Sequence, residues 1–435
     1  DFRCAKPHLA PLDHALQFLT GAYRRPDGSW MEAAEAEGLM HRLRKFSQDG
    51  EPVFQSYHAD SDADHWRILP SGTVGIPPVN SGYLALAWRY LVDHGFEQPQ
   101  DVRFWSLLGD SEFREGSLME AITDFAERGL KEVVWILDYN RQSLDGTRIP
   151  NNAVFQGTDA DRIDATMRAN GWEVIQLRHG PLRRRLFMLS GGEALRRVLE
   201  HGFSDYELQA LLWKKDAALL KERLLVHDRR VKPLFAEASD DELLAALDDL
   251  GGHDLESILA AYEAARQSER PVMVIAHTLK GWGLESRAMP VNHSTVPDEA
   301  EVTRLLAAEG MELNAPCDAL GHWKGSGPER TLLKERGATW RAGVEAQVKR
   351  VSAVREAYLA RLASTLPLPE VEMTLAASSL PAAMTRPRAT RAAAMTRERL
   401  RFVFMRIAAM RDEKGIYRAF YLTMLVYCPG PKTLP

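Results

Sequence analysis

Cysteine is scarce: Cys4, Cys317 and Cys428 are the whole complement of a 435-residue chain. Three thiols, odd in number and far apart in sequence, suggest neither a disulfide framework nor a zinc site. A reducing, cytoplasmic compartment is the simplest expectation. Long apolar runs are missing too. No stretch approaches the roughly 18 residues that a membrane span needs, and no signal-peptide pattern opens the chain. The basic excess of a nucleic-acid-binding protein is also absent, since the formal net charge is -5. What remains is ordinary for a soluble globular protein: 45% hydrophobic and 26% charged residues. The length suits two or more domains. No internal repeat is visible. The chain opens at Asp1 rather than Met, in the middle of what reads as an element, so a fragment or a trimmed chain is expected.

One stretch organises the rest. Ser106-Leu107-Leu108-Gly109-Asp110-Ser111-Glu112 is followed, about thirty residues on, by Asp138-Tyr139-Asn140-Arg141-Gln142-Ser143-Leu144-Asp145-Gly146. Val102 to Leu108 is a short apolar and aromatic run that predicts a buried strand. Leu118, Ile122 and Phe125 recur at helical spacing, which predicts an amphipathic helix over Ser117 to Arg128. Val133 to Leu137 predicts a second strand. This is one βαβ unit, with Asp110 and Asn140 at the carboxyl ends of two neighbouring parallel strands, the edge where such sheets bind ligands. A carboxylate, a side-chain amide and nearby backbone carbonyls are hard oxygen donors, suited to Mg²⁺ holding a diphosphate. A Gly-Asp pair alone would fit any parallel α/β sheet with a polar strand end; the addition of Asn140 and the Leu144-Asp145-Gly146 tail narrows it.

The remaining chain reads as follows. Lys6-Pro7-His8-Leu9-Ala10-Pro11 precedes helical patterning through Leu12, Leu16 and Leu19, where His8 could equally be a cap or a surface residue. Residues 53–82 are rich in Gly and Pro and predict irregular backbone, where binding residues often sit. Tyr83 to Leu91 predicts a helix, and Gly171 to Leu177 a strand. Residues 181–248 are mostly helical and charged. Gly251-Gly252-His253-Asp254 predicts a turn feeding a helix with Asp254 as N-cap. Pro271 to Ala276 predicts a strand, followed by Thr278-Leu279-Lys280-Gly281-Trp282-Gly283 and a loop holding Asn292-His293-Ser294-Thr295. Beyond about residue 300 the α/β alternation stops. Helices are expected over Glu299 to Glu309 and Leu332 to Leu362, then a linker rich in Pro, Ala, Thr and Ser over 366–388. Arg391 to Arg411 is basic and amphipathic, with Leu400, Phe404 and Ile407 on one face. Packing on another domain or subunit is its expected role, ahead of lying on a membrane surface.

These motifs together resemble the homodimeric type of pyruvate dehydrogenase E1 component, within the transketolase-like thiamine diphosphate enzymes. The matching stretches are His8-Leu9-Ala10-Pro11, the Trp66 to Pro78 loop, Gly109-Asp110-Ser111-Glu112, Asn140 to Gly146, Gly171-Trp172, Gly251 to Asp254 and Ala276 to Gly283, in the expected order over roughly residues 1 to 300. The long helical insert between Gly180 and Gly251 favours this type over transketolase itself. The resemblance implies an α/β thiamine diphosphate-binding fold, a parallel sheet flanked by helices, followed by a helical and linker tail. It implies a cofactor-binding domain over 1–300, an extension and linker over 301–390 and a tail over 391–435, read as the truncated start of a second domain.

Residue by residue, the resemblance implies that Asp110, Asn140 and the Gln142 carbonyl hold Mg²⁺, and that Gly109, Ser111 and Glu112 line the diphosphate. Val74 would lie near the aminopyrimidine ring. His8 and Tyr57 would face the substrate end of the cofactor. His293 would sit on a loop that closes over the site and assists acyl transfer to lipoamide. The family's second motif glycine is Ser111 here; a positive φ there would cost a serine roughly 1 kcal/mol or more. The expected reaction is decarboxylation of pyruvate, or another 2-oxo acid, with acylation of the lipoyl domain of an E2 acyltransferase. A homodimer, or a complementary chain with the aminopyrimidine-binding domain, is the expected assembly. The activating glutamate of that domain has no credible counterpart here, so the chain is expected to be inactive alone. Two alternatives stand beside this reading: transketolase-like ketol transfer between sugar phosphates, and a degenerate domain that binds cofactor without turnover.

Overall fold

The structure, a computed structural model, describes residues 2–5, 10–25, 28–42, 74–141, 158–288, 297–316, 318–324 and 327–365. In chain order its elements are β1 (Phe2–Ala5), α1 (Ala10–Leu19), α2 (Ala33–Arg42), α3 (Ile76–Asp93), β2 (Phe104–Gly109), α4 (Gly116–Glu127), β3 (Val133–Tyr139), α5 (Asp159–Ala169) and β4 (Glu173–Leu177). Then come α6 (Pro181–Phe187), α7 (Gly192–Arg197), α8 (Asp205–Lys214), α9 (Ala217–His227), α10 (Asp240–Asp248), α11 (Leu255–Gln267), β5 (Val272–His277), α12 (Glu299–Ala308) and α13 (Pro328–Thr365).

The five strands form one parallel sheet in the order β1-β2-β3-β5-β4. Helices cover both faces, which is why β3 and β5 read as nearly unbroken apolar runs rather than alternating ones. Successive residues still point to opposite faces. Phe104, Leu108, Trp135, Leu137, Met273 and Ile275 pack under α4 and α5 with Ile122, Phe125, Ile163 and Met167. Trp105, Val134, Ile136, Val272 and Val274 pack on the other side against Ala261 and Ala265 of α11. The buried indoles find acceptors: Trp135 Nε1 donates to Ser81 Oγ at 3.1 Å and Trp172 Nε1 to the Ile122 carbonyl at 2.8 Å, which removes the cost of burying an unpaired N–H.

The segment over 181–248 is helical, as its leucine spacing predicts. It has its own core, in which Leu195, Leu211, Leu224, Leu234 and Leu247 meet. Arg183, fully buried, donates to the carbonyls of Ala246 and Leu247 at the end of α10. Burial lowers its pKa to about 9, so those helix-end carbonyls are held by a cation.

One helix boundary differs from the sequence expectation. The helix expected at Tyr83 begins at Ile76 instead, inside the stretch read as irregular. Pro77 and Pro78 occupy its first turn, where a missing N–H costs nothing because those donors have no intrahelical partner. Asp254 stands at the N-terminus of α11 as expected, but its carboxylate accepts from Ser257 Oγ at 2.5 Å and Arg184 at 2.8 Å. Helices are present after residue 300, and α13 lies against α1 through Leu19, Trp323 and Leu333. The linker over 366–388 and the basic segment over 391–411 lie outside the described residues.

Candidate functional site

In a parallel sheet all carboxyl ends lie on one edge. The register pairs Gly109 of β2 with Asp138 of β3, and Asp138 with Ala276 of β5. Asp110 therefore follows β2 beside the end of β3. The ladder runs one step past the strands: Asp110 N donates to the Asp138 carbonyl at 3.3 Å and Thr278 N to the Tyr139 carbonyl at 3.1 Å.

Asp110 is 2% exposed. Its Oδ2 accepts the backbone N–H of Arg141 at 2.7 Å. Arg141 is in the left-handed region, with φ +63°, a conformation that costs a non-glycine residue about 1 kcal/mol or more. The contact to Asp110 holds it there, together with its guanidinium near Asp205 at 3.4 Å and over the Tyr139 ring at 5.6 Å. The chain thus bends directly after Asn140, and Asp110 grips the bend. The Asn140 Nδ2 donates to Asp138 Oδ2 at 2.9 Å.

Ser111 has φ −71° and ψ −31°. This is the right-handed helical region, open to any residue, so the conformational penalty anticipated for a serine in place of glycine does not arise. Glu112 turns its carboxylate onto backbone N–H groups at the end of β2 and before α3. Its Oε1 accepts from Gly75 N at 3.0 Å, and its Oε2 accepts from Gly109 N. That carboxylate pins the turn before α3 to the end of β2 and brings Val74, 39% exposed, to the same edge.

Beyond β5, the Gly251–His253 turn approaches so closely that a side chain at Gly252 would strike the His277 carbonyl. His253 Nε2 accepts from Leu279 N at 2.8 Å and its ring stacks on Trp282. Burial pushes its pKa down to about 4. His277 is buried against Gln176, with its pKa far below the usual value because of burial and the nearby Arg141, Arg178 and Arg183 cations. Both rings are therefore neutral at neutral pH.

Of the residues singled out in the sequence, Val74, Gly109, Asp110, Ser111, Glu112 and Asn140 are gathered at one sheet edge. His8, Tyr57, Gln142 and His293 lie outside the described residues. Asp138, Thr278 and His253 also converge there, without a role having been read for them. The available signal for Asp138 was a charged residue ending a buried apolar strand. Among the described residues no group of three or more His, Cys, Asp or Glu is arranged to hold a metal. The donor set fits a hard divalent cation in another way, with one carboxylate and one amide oxygen on adjacent strand ends.

No family model matches the chain. It is similar to the pyruvate dehydrogenase E1 component of Corynebacterium glutamicum, with 27% identity over 278 residues, covering 64% of this chain and 28% of that protein. The same component of Haemophilus influenzae is 30% identical over 277 residues, 63% of this chain and 28% of that protein. That of Escherichia coli K12 is 24% identical over 285 residues, 65% and 29%. Similar solved structures are transketolase from Pichia stipitis in complex with sedoheptulose-7-phosphate (TM-score 0.48, 15% identity, 83% of this chain and 40% of that one) and transketolase from Leishmania mexicana (TM-score 0.44, 16%, 85% and 42%). The match spans less than a third of the length of these curated relatives. Over about 60% of its own length, the chain is similar in sequence to pyruvate dehydrogenase E1 components.

Proposed function

We propose that this chain binds thiamine diphosphate through Mg²⁺ at the carboxyl edge of β2 and β3, as the cofactor-binding part of an E1-like 2-oxo acid dehydrogenase. One observation carries the reading. Asp110 accepts the N–H of the residue that follows Asn140, so a buried carboxylate and an amide are locked together at adjacent strand ends. Asp110 and Asn140 would hold the cation, with the Gln142 carbonyl as the further ligand suggested by the family resemblance. When bound, the cofactor supplies the carbanion chemistry that decarboxylates pyruvate. The work of the described residues is to hold and orient. Asp110 contributes the negative charge, and Glu112 keeps the turn before α3 against β2. Val74 borders the site, and the neutral His253 and His277 add no cationic competitor.

In this reading residues 1–300 bind the cofactor, 301–390 form an extension and linker, and 391–435 lead toward a second domain. His8 and Tyr57 face the substrate, and His293 serves transfer to the lipoyl domain of an E2 acyltransferase. A homodimer or a complementary chain completes the site. Ser111 lends no support to a degenerate, non-binding site, because its backbone is helical.

The test is a calorimetric titration of the 435-residue chain with thiamine diphosphate, with and without Mg²⁺. Binding should require the cation, Asp110→Ala should abolish it, and Ser111→Gly should bind within about twofold, since no positive φ is needed there. Identical curves for wild type and Asp110→Ala would overturn the assignment.

A further inference from the structure

We infer that Asp138 is a positioning residue of the cation site: it fixes the Asn140 amide so that Oδ1, not Nδ2, is the atom presented to the cation. The inference rests on the cation reading above and concerns a residue to which that reading gives no role.

Asp138 ends β3 between the ends of β2 and β5. Both of its oxygens are engaged. Oδ2 accepts from Asn140 Nδ2 at 2.9 Å, and Oδ1 accepts from the Thr278 hydroxyl. The Thr278 backbone is itself held, by its N–H on the Tyr139 carbonyl. The carboxylate therefore cannot swing without giving up one donor or the other.

The chemistry settles the amide's orientation. An ionised carboxylate only accepts, so the end of Asn140 that faces it must be the NH₂. The oxygen is then directed away from Asp138, and donation to a carboxylate increases the electron density on that oxygen. A flipped amide would set oxygen against oxygen on Asp138 and would turn a donor toward the cation. Outer partners of this kind orient a ligand and raise its basicity, and their loss typically costs about 10- to 100-fold in metal affinity.

A competing role for Asp138 is to sew β3 to β5 through Thr278. The two roles separate because each oxygen serves one of them. Thr278→Val removes the sewing bond and leaves the Asn140 bond. D138N keeps both, since the new amide can accept from Asn140 through its oxygen and donate to Thr278 through its nitrogen.

The experiment uses the full chain with saturating thiamine diphosphate and Mn²⁺ as the probe, with free Mn²⁺ followed by electron paramagnetic resonance. D138A should raise the Kd for Mn²⁺ about tenfold or more. D138L is the second variant should D138A not fold. D138N should remain within about threefold of wild type, and Thr278→Val should lower the melting temperature while leaving the Kd within about threefold, as expected when the orienting bond is retained. Wild-type affinity in D138A or D138L overturns the positioning role alone. A D138N Kd as poor as that of D138A does so as well, because the effect would then be one of charge or direct ligation. Cation-independent binding by the wild type overturns the cation reading and this inference together.

Discussion

At the scale of single residues, two backbone conformations set the edge of the sheet. Ser111 takes a right-handed conformation that needs no glycine, and Arg141 takes a left-handed one that would favour glycine. The strain thus falls one residue after Asn140, where a carboxylate offsets it, and not in the turn after Asp110. Protonation is the other residue-scale property. His253 accepts a backbone N–H through Nε2 and has its pKa lowered from 6.5 to about 4. The unfolded chain takes up the proton first as pH falls, so stability is fully present above pH 6.5 and is lost between 6.5 and about 4. The loss from this group is on the order of 3 kcal/mol. His277 and His179, whose pKa values burial also lowers, act in the same direction. His253→Gln keeps an acceptor for Leu279 but does not titrate. Urea unfolding across this range should show a flatter pH profile for the variant; an unchanged profile would assign the loss to other groups.

At the scale of elements, the entrance to α3 and the exit of β2 share one carboxylate. Glu112 supplies an oxygen to each of two backbone N–H groups, those of Gly75 and Gly109. Glu112→Ala leaves both donors without that partner, at a cost of about 2 kcal/mol or more. Glu112→Gln should recover only part of this, because one end of its side chain is itself a donor. Thermal unfolding of the three proteins checks the order, and equal melting temperatures would remove Glu112 from the architecture. Strands β2 to β5 and α4 were legible in the sequence because burial on both faces and a 3.6-residue period leave direct traces, whereas β1 was not read as a strand. The start of α3 was not, because Gly75 and two prolines look like a loop until a distant carboxylate holds the Gly75 N–H.

At the scale of the whole molecule, α13 returns to the beginning of the chain. Arg341 Nη1 donates to the carbonyls of Thr20 and Gly21 at 2.7 and 3.0 Å, and Arg330 Nη1 donates to that of Leu19 at 3.0 Å. Gly337 makes the approach possible, since a side-chain carbon there would lie 2.0 Å from the Thr20 carbonyl oxygen. Gly343, on the same helix, has nothing within 4 Å. Gly343→Ala should stabilise α13 by up to about 1 kcal/mol through helix propensity. Gly337→Ala should lift the helix from α1 despite the same propensity gain, with overpacking costing about 1–3 kcal/mol. Hydrogen–deuterium exchange should quicken along α13 and α1 in the second variant and leave α4 unchanged. Matching exchange in both variants would mean that the contact does not hold α13 in place. Among the described residues no helix is long and apolar enough to cross a membrane.

Asp110 and Asn140 could be placed on one sheet edge from the sequence alone, because two apolar strands joined by a helix must run parallel and end together. The helical character of residues 181–248 and the polar ends of the strands were local properties of the same kind. The sheet order was not. It puts β5 between β3 and β4 and so brings Thr278 to Asp138, 140 positions earlier. The partners of Glu112, the bend at Arg141 and the landing of α13 on α1 likewise belong to the tertiary structure. Periodicity records which side of an element is buried, and so survives in one dimension. A hydrogen bond between distant segments depends on strand order, register and backbone conformation at once, and only the assembled fold decides all three.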